Sequence, residues 1–321
     1  MENGRRVRFV MSLSIVAALF AGCGGWQPPV DSPNTMPHNA AVPTHDHHGS
    51  WMLPEAQSED LLYIANVHDV TVYSYPKAKL VGTLKGFYVP GGECTDKAGD
   101  FFIGQYPNEL EYRHGGKKPI KKLTMPGYVA LGCSVDPTTG KLAVTWNQSA
   151  SSENYVAVYQ HASGSPTLYG LKGDFFGYCG YDDKGDLFVD GQVGYVSQYV
   201  FLRELPNGAN KLKNITLNQT FGHAGAVQWD GRYVAMGDDV AQKIYRFMIS
   251  GSRAKLEGTV DLGSAQSVYE WWIDGNRVIG PDDVPMKVDY WRYPEGGSPT
   301  KTFNKGVQAP SAATVSKLPK A

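Results

Sequence analysis

An excess of charge of either sign is missing from this sequence. Its 30 Lys and Arg residues against 31 Asp and Glu leave a net charge of −1. No basic stripe or RNA-binding motif is present, which argues against a nucleic-acid partner. Long apolar runs are missing after the N-terminus, so no internal segment has the ~20 residues that a transmembrane helix needs. Cysteine is scarce, with four in 321 residues. A chain of this length can bury a large core without a disulfide or a metal to hold it together. Four motifs are also absent: GxSxG, HExxH, a P-loop and an EF-hand loop. Ser, His and Asp are scattered, and no spacing assigns a catalytic triad.

What the sequence does hold is turn formers, with 37 Gly and 20 Pro, and a short device that repeats. In YDDKGDLFVD (Tyr181–Asp190) a DDKG turn runs into an apolar strand. Asp182 can accept hydrogen bonds from backbone amides just downstream, and Gly185 tolerates positive φ, so the segment closes a hairpin. Related turns begin at Asp96, Asp136, Asp230 and Asp274, so that successive turns lie 40, 46, 48 and 44 residues apart. A period of roughly 40–50 residues with four short strands per unit is the signature of propeller blades. An aromatic-rich strand follows each turn-strand, as in VTVYSYP from Val70 and VAVYQH from Val156, and then a more polar outer strand, as in PIKKLT from Pro119.

An innermost strand precedes each Asp turn, around Cys94, Cys133, Cys179, Val227 and Trp272. The N-terminal unit lacks one, and AATVS (Ala312–Ser316) can supply it. The fold expected is therefore all-β: a six-bladed β-propeller over residues 60–317, closed by a C-terminal strand joining the N-terminal blade, with 318–321 as a tail. Runs such as LAV and VTVY are apolar at successive positions, as in a sheet covered on both faces. A β-sandwich or an up-and-down barrel also has many short strands, but neither has this period with a wrap-around terminus.

Cys94, Cys133 and Cys179 occupy the innermost strands of consecutive units. They can be three buried thiols, one disulfide with a thiol left over, or a thiolate metal site. A disulfide needs Cα atoms within ~7 Å, which neighbouring inner strands need not satisfy.

Two loop sets meet at one mouth of such a wheel: those entering the inner strands and those following the turn-strands. The candidate ligand-binding residues there are Tyr128, Trp146, Phe176, Tyr178 and His223. Glu93, Asn147, Asp190, Asp238 and Asp282 are the candidate metal ligands, for calcium or another divalent ion. A ring of aromatics with carboxylates suits a sugar, a peptide or a hydrophobic ligand. Equally, such aromatics plug a channel, and DD pairs decorate turns. No cofactor is required, no catalytic residue is assigned, and a monomer is expected.

Residues 1–22 have the form of a secretory signal, with Arg5, Arg6 and Arg8 ahead of the apolar stretch Phe9–Ala21. The closing LFAGC resembles the bacterial lipoprotein signal, with Phe20 where an aliphatic residue is usual. That resemblance implies cleavage before Cys23, lipid attachment at Cys23 and location in the cell envelope. Gly24, which is not Asp, then points to the outer membrane where the host has one. Residues 23–59, rich in Pro and His, read as a disordered tether. Its HDHH segment with His38 can hold a metal weakly, or be plain solvated chain.

Residues 60–317, with blades such as VTVYSYP and GCSVDPTTGKLAV, resemble the six-bladed superfamily that includes NHL-repeat proteins and gluconolactonase-like lactonases. More closely, they resemble bacterial lipoproteins with blades of this type. Gluconolactonase-like enzymes hold a divalent metal on Glu, Asn and Asp at the channel mouth. Glu93, Asn147 and Asp190 are of those types, in motifs that differ. Two functions follow as expectations: a membrane-anchored binding or scaffold module for a protein, small molecule or glycan, and, as the alternative, a metal-dependent lactonase-like hydrolase.

Overall fold

The computed structural model describes residues 49–125, 129–147, 154–171, 173–194 and 199–319. Cys23, the expected lipid site, the His-rich segment and Tyr128 lie outside the described residues. By its internal contacts the chain divides at Asp46/His47, and the description below concerns His47–Ala321.

The described residues form six antiparallel sheets. Blade 1 holds β1 (Trp51–Met52), β2 (Leu61–Ala65), β3 (Asp69–Ser74) and β4 (Lys79–Lys85). Blade 2 holds β5 (Gly91–Thr95), β6 (Phe101–Gln105), β7 (Asn108–Tyr112) and β8 (Pro119–Thr124). Blade 3 holds β9 (Val129–Val135), β10 (Leu142–Asn147), β11 (Tyr155–Gln160) and β12 (Ser163–Tyr169). Blade 4 holds β13 (Asp174–Tyr181), β14 (Leu187–Val193), β15 (Val200–Leu205) and β16 (Lys213–Ile215). Blade 5 holds β17 (Val227–Trp229), β18 (Val234–Asp238), β19 (Lys243–Ser250) and β20 (Arg253–Asp261). Blade 6 holds β21 (Trp272–Asp274), β22 (Arg277–Asp282), β23 (Lys287–Arg292) and β24 (Lys301–Phe303). The last strand, β25 (Ala312–Ser316), returns to blade 1 as its innermost member, so that sheet runs β1-β4-β3-β2-β25. The molecule is a six-bladed β-propeller.

Closure follows the expected register, Leu61 opposite Ser316 through Ala65 opposite Ala312. Side chains fasten the same seam. Ser316 Oγ donates to the Gly99 carbonyl (2.6 Å). The His114 ring lies between Ser316 Oγ (2.6 Å) and the Glu59 carbonyl oxygen (2.9 Å). At its N-terminal end the wheel begins earlier than residue 60. Trp51 and Met52 pair with Thr83 and Gly82, and a 3-10 helix covers Pro54–Gln57. The apolar side chains in WMLPEA make this stretch an edge strand, where proline composition alone had suggested tether.

The core is divided among six clusters, each between two consecutive blades. Leu61, Tyr63 and Ala65 pack with Phe101 and Ile103 of blade 2. Leu62 and Ile64, pointing the other way, pack with Ile279, Val288 and Tyr290 of blade 6. The remaining interfaces are filled in the same manner. Since successive side chains of a strand face opposite sides, a strand feeding two interfaces must be apolar at every position. All five residues of β2 and all six of β10 are buried accordingly.

The Asp turns form as their chemistry requires. Asp182 Oδ1 accepts from the Lys184 and Asp186 amides (both 2.9 Å), and Gly185 has φ +83°. Asp96, Asp136 and Asp230 make the equivalent bonds. Inner strands approach closely, so that a Cβ on Gly180 would lie 2.7 Å from the Val227 carbonyl oxygen of the next blade. This proximity settles the cysteine question. Cys94 and Cys133, with Cα atoms 5.5 Å apart, form a disulfide between β5 and β9, and Cys179 remains a buried thiol.

Removing Ala312–Ala321 would leave the inner edge of β2 unpaired and two inter-blade clusters open to water. The expected result is loss of the single cooperative thermal transition in circular dichroism. A truncated chain that melts as sharply as the full chain would contradict the closure described here.

Candidate functional site

Asn147, Asp238 and Asp282 end the second strands of their blades and Asn66 directly follows β2, where the chain turns back toward the outer strands, while Asp190 lies within β14; all five are buried. Asn66, Asp238 and Asp282 pin the segment that enters their own blade's innermost strand, and Asp190 pins the innermost strand itself. Asp190 accepts from the Tyr178 amide (2.7 Å). Asp238 accepts from the Gly222 amide (2.9 Å), and also from the Val240 and Ala241 amides. Asp282 accepts from the Gln266 and Ser267 amides, with Lys287 Nζ 3.9 Å away. Asn66 accepts from the Gln308 amide (3.0 Å). Asn147 reaches the next blade instead, donating to the Phe176 carbonyl (2.7 Å).

These carboxylates therefore hold backbone segments in place. Among the described residues no three His, Cys, Asp or Glu side chains converge to hold an ion. The periodic spacing that suggested a ring of ligands reflects a ring of equivalent anchors.

The expected aromatic rim is redistributed too. Trp146 and Phe176 are fully buried, Trp146 between blades 2 and 3 and Phe176 between blades 3 and 4. Phe87 and Phe221 are likewise core residues, Phe221 edge-on to Tyr245. His223 is exposed, and its Nδ1 lies 2.9 Å from Asp239 Oδ2, which raises the imidazole's affinity for a proton. Two of the singled-out residues, Glu93 and Tyr178, line one cavity.

That cavity, about 310 Å³, runs along the ends of the inner strands that lead into the Asp turns, opposite to the mouth expected. Cys94, Cys133 and Cys179 form part of its wall. Tyr178, Tyr181, Trp229, Trp271 and Trp272 add aromatic surface, and Glu93 and Glu270 supply carboxyl groups. Glu270 precedes β21 and escaped notice in the sequence. The available signal was an acidic residue directly before two tryptophans, in a position where other blades place small or apolar residues.

Glu93, Glu109 and Glu270 are all buried, and both oxygens of Glu93 and of Glu109 lack hydrogen bonds. Burial pushes each carboxyl well above its ordinary range, and the charge of Glu270 adds to the effect on the other two. Glu109 lies under Gly104, where a Cβ would meet Ala130 Cβ at 2.3 Å and Glu109 Oε2 at 3.4 Å. It thus sits at the interface of blades 2 and 3, with Tyr159 of blade 3 within its electrostatic reach.

No protein-family model matches the chain, and no curated protein matches it in sequence. Solved structures do match in shape. A protein of unknown function from Bacteroides caccae aligns with a TM-score of 0.61 at 11% identity, over 81% of this chain and 99% of that one. A chain of a nidogen/laminin complex gives 0.63 at 11% identity over the same shares. The β-propeller domain of Cps50 (Swd1) from Myceliophteria thermophila gives 0.55 at 10% identity, over 83% and 88%. At such identities the likeness concerns the fold alone.

The buried acids determine a pH dependence. An unfolded chain releases the Glu109 proton above pH ~4.3, whereas the folded chain keeps it to higher pH. The folded state then binds more protons, so stability falls as pH rises beyond that point. Glu109→Gln removes this contribution. The melting temperature of the variant is expected to fall less between about pH 5 and about pH 8 than that of the wild type. Parallel curves for the two proteins would refute the assignment.

Proposed function

We propose that this chain is a lipid-anchored, extracytoplasmic binding module that engages a protein partner through one face of the wheel and does no chemistry. The observation carrying this reading is the distribution of exposed apolar side chains. Among the described residues, all the large exposed hydrophobics except Ile120, Leu168 and Met248 lie on loops or strand ends of a single face. This is the face carrying the turns from second to third strand and the entries to the inner strands. Among the described residues blades 1, 2, 4, 5 and 6 contribute. Val67 and Val89 are joined by a backbone hydrogen bond from the Val89 amide to the Val67 carbonyl (3.1 Å), and Tyr88 stands beside them 71% exposed. Tyr106, Leu171, Tyr199, Val240 and Val284 continue the set.

Exposed apolar side chains gathered on one surface mark interaction sites, and tyrosine is favoured there. Val89 also has φ +49°, a strained conformation for a β-branched residue. Strain of that kind concentrates at binding elements. The opposite face, with its Asp turns, carries little of this apolar surface.

Lipid anchoring and export rest on the N-terminal residues. The Arg-led apolar stretch and LFAGC supply the signal, and the Cys94–Cys133 disulfide suits an oxidising compartment.

Two measurements test the reading. Cys23→Ser is expected to abolish incorporation of labelled fatty acid and release the protein from the membrane fraction; retention of both would refute the anchor. A variant carrying Tyr88→Ser, Tyr199→Ser and Val240→Ser is expected to keep the wild-type melting temperature. It should lose the envelope protein that cross-links to the wild type. Equal cross-linking by both proteins, or none by either, would refute the docking face.

A further inference from the structure

The channel cavity is a separate feature, at the end of the wheel away from the apolar loops. Its polar groups are of one kind. Glu93 and Glu270 face it deep in the channel, and Asp182 and Asp183 lie where it meets the Asp turns. No Lys, Arg or His lines it. Glu93 is 1% exposed and neither of its carboxyl oxygens has a hydrogen-bond partner. A buried polar group without a partner destabilises the fold, more so if charged, so a site that keeps one calls for an occupant.

We propose that this cavity binds a small organic cation, an ammonium or guanidinium compound, held between Glu93 and Glu270. Either group offers several N–H donors for the unpartnered oxygens. Their charge is favoured over the faces of tryptophan and tyrosine, which Trp229, Trp271, Trp272 and Tyr178 provide. A divalent metal fits less well. Calcium takes six to eight oxygens, and no three acidic or His/Cys side chains among the described residues converge. A volume of about 310 Å³ suits a molecule of small-metabolite size, at the lower end of the usual ligand pockets. The disulfide in the wall ties β5 to β9 and holds Glu93 in place.

Binding is coupled to protons. The nearby titratable groups are Tyr63, Glu109, Asp190, Tyr178, Cys179 and Tyr181, with Asp182 and Asp183 at the turns, and none of them is a cation. Burial raises the proton affinity of the Glu93 and Glu270 carboxyls, and a bound cation opposes that effect and favours loss of the proton. Affinity therefore rises with pH and a proton is released on binding.

The test is calorimetric titration of the full chain in detergent with agmatine and with putrescine, and with glucose and calcium chloride as the competing chemistries. Tryptophan fluorescence serves as the second signal. At least one amine is expected to bind and shift the fluorescence. Its affinity should rise with pH by up to about tenfold per unit for one proton released. E93Q and E270Q are expected to weaken it by about tenfold or more while each still melts in a cooperative transition, and E257Q, on the exposed outer strand, leaves it unchanged. Four results would each overturn the proposal. They are failure of both amines to bind at millimolar concentration, binding of glucose or calcium alone, binding indifferent to pH, and binding indifferent to E93Q. None of them bears on partner docking through the apolar loops, so the two readings fail independently.

Discussion

The structure depends on one constraint: every blade has two faces that must both be kept dry. Leu61 and Tyr63 serve one interface while Leu62 and Ile64 serve another, so no blade can bury its apolar residues alone. Each cluster completes one neighbour and requires the next. Such an arrangement has no natural end except closure, and β25 provides it by lending blade 1 the inner strand that the N-terminal unit lacks. The seam is then held by backbone pairing and by the Ser316 and His114 contacts.

Convergence at the axis explains the rest of the chemistry. Where inner strands nearly touch, as Gly180 does with Val227, only small residues fit. The same proximity brings Cys94 and Cys133 within bonding distance. Away from the axis the strands diverge and their entry segments need restraint, which buried Asp and Asn side chains supply by taking up backbone amides. Carboxyl groups left without such work, Glu93 and Glu109 above all, stand out against this background.

Much of the architecture was legible in the sequence because it is periodic. Recurring Asp turns, successive apolar positions and a missing first inner strand all leave marks at fixed spacing. The site was less legible because period alone cannot tell a ligand from an anchor. Asp190, Asp238 and Asp282 recur since every blade needs its entry segment tied, and Trp146 and Phe176 recur since every interface needs filling. Glu270, Glu109 and the cavity itself break the pattern and belong to single blades, so no repeat announces them. The disulfide depends on an inter-strand distance that spacing does not encode. Trp51–Met52 forms too short a strand to show any alternation at all.

Because β2 and β25 lie side by side, the two ends of the propeller are neighbours in space. Leu61 faces Ser316, and the Leu318 amide donates to Asp60 Oδ1 at 2.9 Å. The order in which the blades are written along the chain is therefore arbitrary with respect to the finished wheel. A short peptide joining residue 318 to residue 60, with new termini cut at the exposed Gly251–Ser252 hairpin between β19 and β20, would give a circular permutant of the same wheel that lacks only the short edge strand β1 and the 3-10 helix after it. The closed ring of inter-blade contacts, and not the position of the chain ends, is then what defines the fold.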